Sequence, residues 1–467
     1  MPFLNKLKKW AGECPDAPAV IIGSRGMSWA ELKAAAEAMV PESSITVLEG
    51  NSTLDFVVRF CAAVAGERQC IVLDPHWPSE VTAEIVRRLP STLPAEGSDL
   101  VDGRRESIFL IGLTSGTTSF PKAVMRSRRS WQDSFETTRG LFGPSSDDIT
   151  LAPGHLAAGL NLFALAECLH TGSVFRGLES FDVGRAHEAI AHDGVTRLIV
   201  VPSALRLLSE WGILGGVDAS GIRTIICAGS KLDARTLQAA RRWAPNANVF
   251  EYYGAAELSF VSAKLLNAGD SPEGTAIGRP LPGVFVQILG DEGAPLPDGE
   301  VGNISVRSTL TSDGYLWGGE GIGEISSEGW LTVGDDGFLS HNELHLVGRH
   351  SDVINSYKTR VYPYEVELAL ASVPGVEMAV VVGTPQGGYN QRIMAGVVVS
   401  AGDVTSIFLE RALEMRLSPE KLPRQYFILN ELPVTDRGKV SRRVLAEWIQ
   451  AKDPRARPLS CALSRAY

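Results

Sequence analysis

One segment of the sequence, LTSGTTSFPKAV at residues 113–124, places small hydroxyl residues, a glycine and a lysine directly behind a hydrophobic run. Serine and threonine hydroxyls and the backbone N–H groups of a glycine-containing turn can surround an anion, and Lys122 adds a positive charge. The hydroxyl and glycine positions are Thr114, Ser115, Gly116, Thr117 and Thr118. The segment therefore predicts a phosphate-binding loop.

A Walker loop is the first alternative, because the spacing from Gly116 to Lys122 fits it. Two positions exclude it: Pro121 stands where a glycine should precede the lysine, and Ala123 replaces the metal-binding Ser or Thr. The second alternative is an ordinary loop, since Ser, Thr and Gly are common in loops. The segment alone leaves a phosphate loop and an ordinary loop both open.

The same segment resembles the pyrophosphate-binding loop of the adenylate-forming superfamily, which includes acyl-CoA synthetases, firefly luciferase and the adenylation domains of peptide synthetases. The family pattern is roughly Ser/Thr-Ser-Gly-Ser/Thr-Thr-Gly-x-Pro-Lys-Gly. The sequence fits it at residues 114–118 and 121–122, while Ser119 and Ala123 stand where the family has glycine.

A second segment, YYGAAE, follows a predicted strand and resembles the family's Tyr-Gly-x-Thr-Glu. The resemblance implies that Tyr253 lies on adenine, that Gly254 belongs to the same nucleotide-binding turn, and that Glu257 binds Mg²⁺. Magnesium takes hard oxygen ligands and shares them with phosphate, so a single carboxylate is chemically suitable. Ala256 stands where the family has a threonine, so the side-chain hydroxyl that contacts the AMP phosphate in the family is missing here. Upstream, Gly229 in AGSKL occupies the place of the family's glycine turn against the nucleotide.

Two further segments resemble the family's ribose-binding motifs. Asp335 in TVGDDGF corresponds to the aspartate that binds the ribose hydroxyls, with a plain hairpin turn as the alternative. Arg349 in GRHSD corresponds to an arginine that also meets the ribose. The hinge position of that motif is Ser351, a small polar residue that can absorb a backbone rotation.

The last motif, PVTDRGKVSRRVL, is similar to the family's Pro-x-Thr-x-x-Gly-Lys-x-x-Arg. The resemblance makes Lys439 the catalytic lysine, which bridges the carboxylate and the α-phosphate as charge builds up. In the preceding motif, Lys358 replaces a glycine that lies along the pantetheine tunnel in CoA ligases. CoA and a different thiol acceptor therefore both remain open.

His155 in LAPGHLAAGLNLF stands where the family has a histidine or an aromatic residue at the mouth of the carboxylate pocket, and a structural role is the alternative. Adenylation domains for amino acids usually carry an aspartate a few residues later, but no acidic residue lies between Leu156 and Ala166. Residues 157–159 are small and leave space. The sequence therefore favours a fatty, branched or cyclic acid over a free α-amino acid.

Short strands alternate with helical patterns over the first part of the chain, which predicts an α/β architecture with largely parallel sheets. Glycine-punctuated, strand-like pieces begin near residue 283, and an α+β pattern follows residue 349. We predict a large N-terminal AMP-binding domain, residues 1–350, that includes a β-rich subdomain, and a small mobile α+β C-terminal domain, residues 351–467. Predicted strands are 19–22, 45–48, 108–113, 198–201, 224–227, 379–383 and 393–399, and predicted helices are 28–39, 54–65, 183–192, 234–243, 363–372, 404–416 and 441–451.

Composition excludes several classes of partner. A net charge of −10 argues against a nucleic-acid partner, which normally needs a basic face. The six cysteines show no metal-like spacing and are expected to be reduced in a cytoplasmic protein. No apolar run approaches a membrane span, so no integral membrane contact is expected. The apolar helical face of Phe3, Leu4, Leu7 and Trp10 is expected to pack on the protein's own body.

Six motifs in the family's order imply an AMP-forming carboxylic acid–CoA ligase. Its cofactors would be ATP, Mg²⁺ and coenzyme A, and its partners a small-molecule carboxylic acid and either CoA or an acyl or peptidyl carrier protein. In the family, acid and MgATP give acyl-AMP and pyrophosphate, and the C-terminal domain then rotates so that a thiol attacks. Three alternatives remain: a stand-alone enzyme that loads a carrier protein, a degenerate member that catalyses one half-reaction, and a non-catalytic nucleotide-binding module.

Overall fold

Short hydrophobic runs of the sequence form strands, and amphipathic stretches form helices. The structure is a computed structural model of the chain, and it describes residues 3–39, 41, 43–91, 100–114, 120–267, 269–270, 272, 274–319, 328–356, 359–387, 390–399, 404–433 and 440–459. The α-helices of these residues, numbered in chain order, are α1 (Leu4–Glu13), α2 (Trp29–Ala38), α3 (Leu54–Ala63), α4 (Ser79–Arg88), α5 (Arg128–Phe142), α6 (Gly159–Thr171), α7 (Val183–His192), α8 (Pro202–Gly215), α9 (Ala234–Trp243), α10 (Pro363–Ala371), α11 (Ser406–Glu414) and α12 (Arg442–Ala451).

The β-strands of the described residues are numbered in the same way. They are β1 (Pro18–Ile22), β2 (Arg25–Ser28), β3 (Ile45–Glu49), β4 (Gln69–Leu73), β5 (Ile108–Thr114), β6 (Lys122–Ser127), β7 (Ile149–Ala152), β8 (Val174–Gly177), β9 (Arg197–Val200), β10 (Thr224–Cys227), β11 (Asn248–Ala255), β12 (Ser259–Leu266), β13 (Arg279–Pro280), β14 (Phe285–Leu289), β15 (Gly302–Arg307), β16 (Tyr315–Trp317), β17 (Asp335–Ser340), β18 (Glu343–Arg349), β19 (Ile354–Ser356), β20 (Thr359–Val361), β21 (Val376–Gly387), β22 (Asn390–Val399), β23 (Gln425–Leu429) and β24 (Ala456–Pro458).

Several predicted elements have the observed bounds, because their ends carry local signals. Helices α7 and α9 and strand β10 match the prediction residue for residue. Asp182 caps α7 by accepting a hydrogen bond from the Arg185 N–H, and Asp233 caps α9 by accepting one from the Thr236 N–H, each over 2.8 Å. An aspartate at this position satisfies a backbone donor that the helix leaves unpaired, so the start of the helix is readable from sequence.

The chain folds into two units, each of which packs mainly within itself. The first comprises Met1–Gln287, Ile304–Val333 and Leu339–His345, and the second comprises Ile288–Asn303, Gly334–Phe338 and Leu346–Tyr467. The division at residue 350 that the sequence suggests stays a prediction, because internal packing does not identify which segments move together.

The main sheet of the first unit has nine strands in the order β13-β12-β11-β10-β9-β7-β8-β1-β2. Its strands from β11 to β1 are parallel, and the pairs at both ends are antiparallel. Helices α7, α8 and α9 pack on it in one hydrophobic core. Parallel strands with helices between them confirm the predicted α/β architecture.

The second sheet of this unit has the order β16-β6-β5-β4-β3. Strands β3, β4 and β5 are parallel, whereas β6 runs antiparallel to both β5 and β16. The sequence did not predict β6, because Arg126 and Ser127 interrupt its apolar pattern and yet are both buried. This missed strand forms a hairpin with β5, and the phosphate-binding segment connects the two.

The second unit contains a four-stranded sheet in the order β21-β22-β23-β24 and the hairpin β19-β20. Helices α10 and α11 share one hydrophobic core with Val381, and α12 packs in another core with Val380 and Val382. Successive residues of a strand point to opposite faces, so the sheet carries helices on both sides. This part confirms the predicted α+β pattern. In the same unit, Gly302 of β15 pairs with Gly337 of β17, and Asn303 pairs with Asp336.

The apolar face of α1 packs inside the first unit, as predicted. Phe3, Leu4 and Leu7 have no exposed surface. The ring of Phe3 lies 5.8 Å from that of Phe60 on α3. Among the helices of the described residues, none is long and apolar enough to cross a membrane.

Replacing Leu7 by alanine is expected to lower the free energy of unfolding by about 2–5 kcal/mol, because a fully buried side chain is lost and a cavity remains. Lys6→Ala on the same helix is the control and should change it by less than about 0.5 kcal/mol. Denaturant unfolding of both variants measures the difference. If Leu7→Ala left stability unchanged but reduced binding to lipid vesicles, the packing of α1 would be contradicted.

Candidate active site

The ends of the segment that is predicted to bind phosphate, residues 114–122, belong to the β5-β6 hairpin. Thr114 and Lys122 face each other as the pair of this hairpin nearest the loop. The predicted anion-binding residues Ser115, Gly116, Thr117 and Thr118 lie outside the described residues. The hairpin nevertheless sets where the loop leaves and re-enters the sheet.

Strand β16 contacts the C-terminal end of this loop, at Pro121 and the start of β6. It pairs with β6, placing Tyr315 opposite Val124 and Trp317 opposite Ala123. The Trp317 indole N–H donates a 2.8 Å hydrogen bond to the Pro121 carbonyl oxygen. The loop end is therefore attached to the edge strand by backbone pairing and by a side chain.

Tyr315 lies between Glu257 and Lys122, the lysine at the end of the predicted phosphate-binding segment. The Tyr315 hydroxyl donates a 2.7 Å hydrogen bond to Glu257 Oε1, and Lys122 Nζ lies 5.4 Å from the centroid of the same ring. Glu257 is buried at 8% exposure. The structure thus brings together the predicted residues Lys122 and Glu257, with Tyr315 between them. Tyr315 was not predicted from the sequence, where an aromatic residue beside Gly314 is its only signal.

Arg126 is a second residue that was not predicted from the sequence. Its buried guanidinium donates hydrogen bonds to the carbonyl oxygens of Ala256, over 3.2 Å, and Leu310, over 2.9 Å. Burial lowers the pKa of Arg126 to about 10, while Asp313 and Glu257 oppose the shift, so the side chain is charged at neutral pH. The signal in the sequence was an arginine inside an otherwise apolar strand.

The last part of β11, where it pairs with β12, requires glycine at position 254. A Cβ atom there would lie 2.0 Å from the carbonyl oxygen of Ser259, and Ser259 itself has a positive φ of 60°. Tyr253, the predicted adenine-binding residue, lies next to this close approach at the end of β11 and is largely buried. The strand predicted over residues 248–251 is present, but it extends to Ala255, so Tyr253 and Gly254 lie in β11 rather than after it. Their role toward the nucleotide stays a prediction.

Gly229 lies in the turn after β10 with a φ of 92°, a conformation that favours glycine. The neighbouring Lys231 pairs with buried Glu251 of β11 over 2.7 Å, and the Leu232 N–H donates to the same carboxylate over 2.7 Å. This buried pair attaches the Gly229 turn to the strand that carries Tyr253.

His155 lies in the loop between β7 and α6. Its ring contacts His76, which in turn contacts Asp74, and neither residue was singled out from the sequence. The ring of His155 lies 4.9 Å from the ring of His76. His76 in turn contacts Asp74 through a 3.0 Å bond between Nδ1 and Oδ1. Burial lowers the pKa of His155, His76 lowers it further and Asp74 opposes the shift, so His155 is mainly uncharged at neutral pH.

In the second unit, the two predicted ribose-binding residues are in contact. Arg349 Nε lies 3.3 Å from Asp335 Oδ1, and Asp335 is largely buried while Arg349 is half exposed. The next residue, Asp336, accepts hydrogen bonds from the Tyr362 hydroxyl and from His350 Nδ1, each over 3.0 Å. The two adjacent aspartates therefore have different partners.

Lys439 lies outside the described residues, but the arginine of its motif does not. Arg442 donates to Asp352 Oδ2 over 2.9 Å and to both carboxylate oxygens of Glu367 over 2.8 and 3.0 Å. Burial raises the pKa of Glu367, and the guanidinium of Arg442 opposes the shift. The end of the lysine motif is thus bound to Asp352, next to the predicted hinge residue Ser351.

The chemistry of Lys122 and Glu257 fits MgATP. A cation beside a phosphate-binding segment and one buried carboxylate suit a Mg²⁺ ion that takes most of its ligands from phosphate and water. Within the part of the chain that the structure describes, no three His, Cys, Asp or Glu side chains are grouped to hold a metal ion.

The fold and these motifs define a class of protein. The family described as AMP-binding enzyme matches residues 46–316, and the AMP-binding enzyme C-terminal domain matches residues 365–439. The chain belongs to this family, the adenylate-forming superfamily whose motifs it resembles.

Particular relatives are similar over much of the chain. An uncharacterized acyl-CoA ligase, YhfT of Bacillus subtilis, is 30% identical over 74% of this chain and 69% of its own length. The fatty acid–[acyl-carrier-protein] ligase ScoC of Streptomyces coeruleorubidus is 30% identical over 72% and 66%. The o-succinylbenzoate CoA synthetase MenE from Bacillus subtilis, solved with the acyl-adenylate OSB-AMP, has a TM-score of 0.81 at 22% identity, covering 97% of this chain and 99% of that one. This last likeness confirms the fold.

The hydrogen bond between Tyr315 and Glu257 is expected to give a coupling energy of roughly 1.5–3 kcal/mol, because its acceptor is a buried charged group. Unfolding free energies of Tyr315→Phe, Glu257→Gln and the double variant form the cycle that measures it. Tyr315→Phe keeps the ring near Lys122 and removes the hydroxyl alone. Additivity of the two changes within about 0.5 kcal/mol would contradict the coupling.

Proposed function

We propose that the protein is an AMP-forming ligase that activates a carboxylic acid with MgATP and transfers the acyl group to a thiol, with CoA as the first candidate. The observation that supports this best is the grouping of Lys122 and Glu257 around Tyr315 at the end of the phosphate-binding hairpin. A cation and a buried carboxylate at that place are the two charges that MgATP needs. Family membership agrees with this chemistry.

Each predicted residue has one role in the proposed reaction. In the first unit, pyrophosphate is held by Lys122 and the segment Thr114–Thr118, and Glu257 would hold Mg²⁺. The adenine side is contacted by Tyr253, Gly254 and Gly229, and His155 adjoins the acid. Asp335 and Arg349 bind the ribose hydroxyls, and Lys439 stabilises the charge between the acid and the α-phosphate. These assignments rest on motif and chemistry together.

The reaction proceeds in two steps. In the first, an oxygen of the carboxylate attacks the α-phosphorus of ATP, the bond to the β-phosphate oxygen breaks, and pyrophosphate leaves. In the second, the thiol gives its proton to solvent and its sulfur attacks the acyl carbon. The bond between that carbon and the phosphate oxygen of AMP breaks, and AMP leaves. Bound Mg²⁺ would neutralise phosphate charge. Lys122 and Lys439 act on charge that develops during the first step, which is where fixed cations accelerate a reaction most.

The thiol acceptor is the part of the proposal with two candidates. Similarity to YhfT, an acyl-CoA ligase by name, favours CoA, and similarity to ScoC, which by name loads an acyl carrier protein, favours a carrier protein. Lys358 in place of glycine is the sequence feature that separates this chain from the CoA-ligase pattern. A degenerate enzyme with one half-reaction is a further alternative, because Ser119, Ala123 and Ala256 also depart from the family.

Purified protein incubated with MgATP and a panel of carboxylic acids is expected to form AMP and acyl-AMP, and acyl-CoA when CoA is added. Mass spectrometry follows the three products in one reaction. Acyl-AMP without acyl-CoA would move the proposal to a carrier protein. Absence of AMP and acyl-AMP with every acid, with ATP still bound, would overturn the enzyme and leave a nucleotide-binding module.

Replacing Lys439 by alanine is expected to reduce acyl-AMP formation by about 10²–10³-fold, because it removes the cation from developing charge. Thioester formation from supplied acyl-AMP should be unchanged. Arg443→Ala, which removes an exposed cation four positions later, is the control and should leave both steps unaffected. An equal loss of both steps in Lys439→Ala would contradict the assignment.

A further inference from the structure

Ser259, at the start of β12, has a backbone conformation that serine rarely adopts. Its φ of 60° lies in the left-handed region, where the Cβ atom of an L-residue is crowded and glycine is preferred. In the described part of the chain, the other non-glycine residues with a positive φ are His341, Asn342 and Lys452. Those residues lie in the turn between β17 and β18 and at the C-terminal end of α12, whereas Ser259 pairs with Ala255 in the main sheet.

This left-handed residue follows the tight turn that carries Glu257. Strands β11 and β12 are joined by residues 256–258, and the Leu258 N–H donates to the Ala255 carbonyl oxygen over 3.1 Å. In hairpins, a turn of this kind is commonly followed by one left-handed residue, and glycine is the usual choice there. The backbone alone therefore favours glycine at position 259, and what distinguishes serine from glycine is its hydroxyl.

The hydroxyl of Ser259 is hydrogen-bonded to Ser134, a residue of α5 with no exposed surface. The two Oγ atoms lie 2.9 Å apart. Ser134 donates its own proton to the Ser130 carbonyl oxygen over 2.7 Å. Because a hydroxyl carries a single proton, Ser259 is the donor in the bond between the two serines. The start of β12 is therefore attached to a helix that lies 125 residues earlier in the chain.

Further hydrogen bonds hold the same turn against other parts of the first unit. The Ser312 N–H donates to the Glu257 carbonyl oxygen over 2.7 Å. Arg126 of β6 donates to the Ala256 carbonyl oxygen over 3.2 Å. The Tyr315 hydroxyl of β16 donates to Glu257 Oε1 over 2.7 Å. These bonds hold the tip of the hairpin, whereas the serine pair attaches the start of β12 to α5, so the position of the carboxylate depends on both.

We propose that Ser259 and Ser134 are positioning residues, which fix the carboxylate of Glu257 for a divalent cation that binds together with the nucleotide. The proposal rests on the proposed function, because it takes Glu257 as the residue that holds Mg²⁺. Strained backbone conformations persist where the surrounding structure fixes them, and they are concentrated at functional sites. Ser259 lies two positions after Glu257, and its bond to Ser134 sets the direction in which β12 leaves the turn.

The test measures how tightly the full chain holds a divalent cation together with a nucleotide. Mn²⁺ replaces Mg²⁺, because it prefers the same oxygen ligands and is detected by electron paramagnetic resonance. The nucleotide is α,β-methylene-ATP, whose bridge between the α- and β-phosphorus atoms is not cleaved, so binding is measured without turnover. Calorimetry in the presence of EDTA measures the affinity for the same nucleotide without metal.

Ser259→Gly removes the hydroxyl and suits the left-handed backbone, so this variant should fold. Its affinity for Mn²⁺ should fall roughly two- to tenfold, the effect of losing one hydrogen bond that restrains the site, and metal-free nucleotide binding should be unchanged. Ser134→Ala should have a similar effect, and the double variant should lose no more than the larger single effect, because both changes break one bond. Asn342→Gly is the matched control: it changes another left-handed residue, with a φ of 63°, and should leave the Mn²⁺ affinity unchanged.

Metal binding and turnover separate this proposal from the proposed function. Unchanged Mn²⁺ affinity in Ser259→Gly and Ser134→Ala would overturn the positioning role. Equal weakening of nucleotide binding with and without metal would also overturn it, because a general loss of structure gives that result. Unchanged Mn²⁺ affinity in Glu257→Gln would overturn the proposal at its premise. Weaker Mn²⁺ binding in the serine variants, without acyl-AMP formation from any acid by the unmodified protein, would support the positioning role and overturn the proposed enzyme.

Discussion

The antiparallel pairing of β16 with β6 is the constraint on which the candidate site of the first unit depends. It places Trp317 against Pro121, 196 residues earlier in the chain, and it holds Tyr315 at the carboxylate of Glu257. Bringing together two residues that are so far apart in the chain reduces the chain's conformational entropy, and this cost arises during folding. The site then keeps its geometry without a further cost when a ligand binds. A preorganised arrangement of charges is what stabilises a transition state, so in the proposed reaction this edge strand would contribute to chemistry as well as to stability.

Buried charged side chains around the site are balanced by hydrogen-bond acceptors or by side chains of opposite charge. Arg126 donates to two carbonyl oxygens near Glu257, and Lys231 pairs with Glu251 under the Gly229 turn. Buried charges are costly unless they are paired and hydrogen-bonded, and once paired they resist movement. In the second unit, Arg442 joins the lysine motif to Asp352 through an ion pair that is only partly buried. Arg126 and Glu251, which hold motif segments in place, belong to none of the motifs quoted from the sequence, whereas Arg442 is itself the arginine of the lysine motif.

This difference explains what could be predicted from the sequence. Helices α7 and α9 were found because a capping aspartate and an apolar period are local signals. The family motifs around Lys122 and Glu257 were found because their residue types match a known chemistry. Strand β6 was missed because buried Arg126 breaks its pattern, and that arginine is stable inside only because distant carbonyls accept its hydrogen bonds. Tyr315 was missed for the same reason, because its partner Glu257 is remote in sequence. His76 has a local partner in Asp74, but its ring contact with His155 is remote and was missed.

Glu167 is another residue whose possible role depends on a partner that is remote in sequence, because its carboxylate pairs with Arg197. The sequence argues against an amino-acid substrate because residues 156–166 contain no carboxylate, and the next residue is Glu167. Judged by its sequence position alone, Glu167 could supply the carboxylate that binds a substrate amine, and the argument against an amino-acid substrate would be weaker. In the structure its carboxylate is bound to Arg197 and both side chains are buried, so its charge is already balanced inside the protein. A substrate amine would have to replace a buried guanidinium, which is unfavourable because the displaced arginine would keep its charge without a partner. The sequence-based preference for an acid without an amine stays a prediction, and the pairing of Glu167 with Arg197 removes one argument against it.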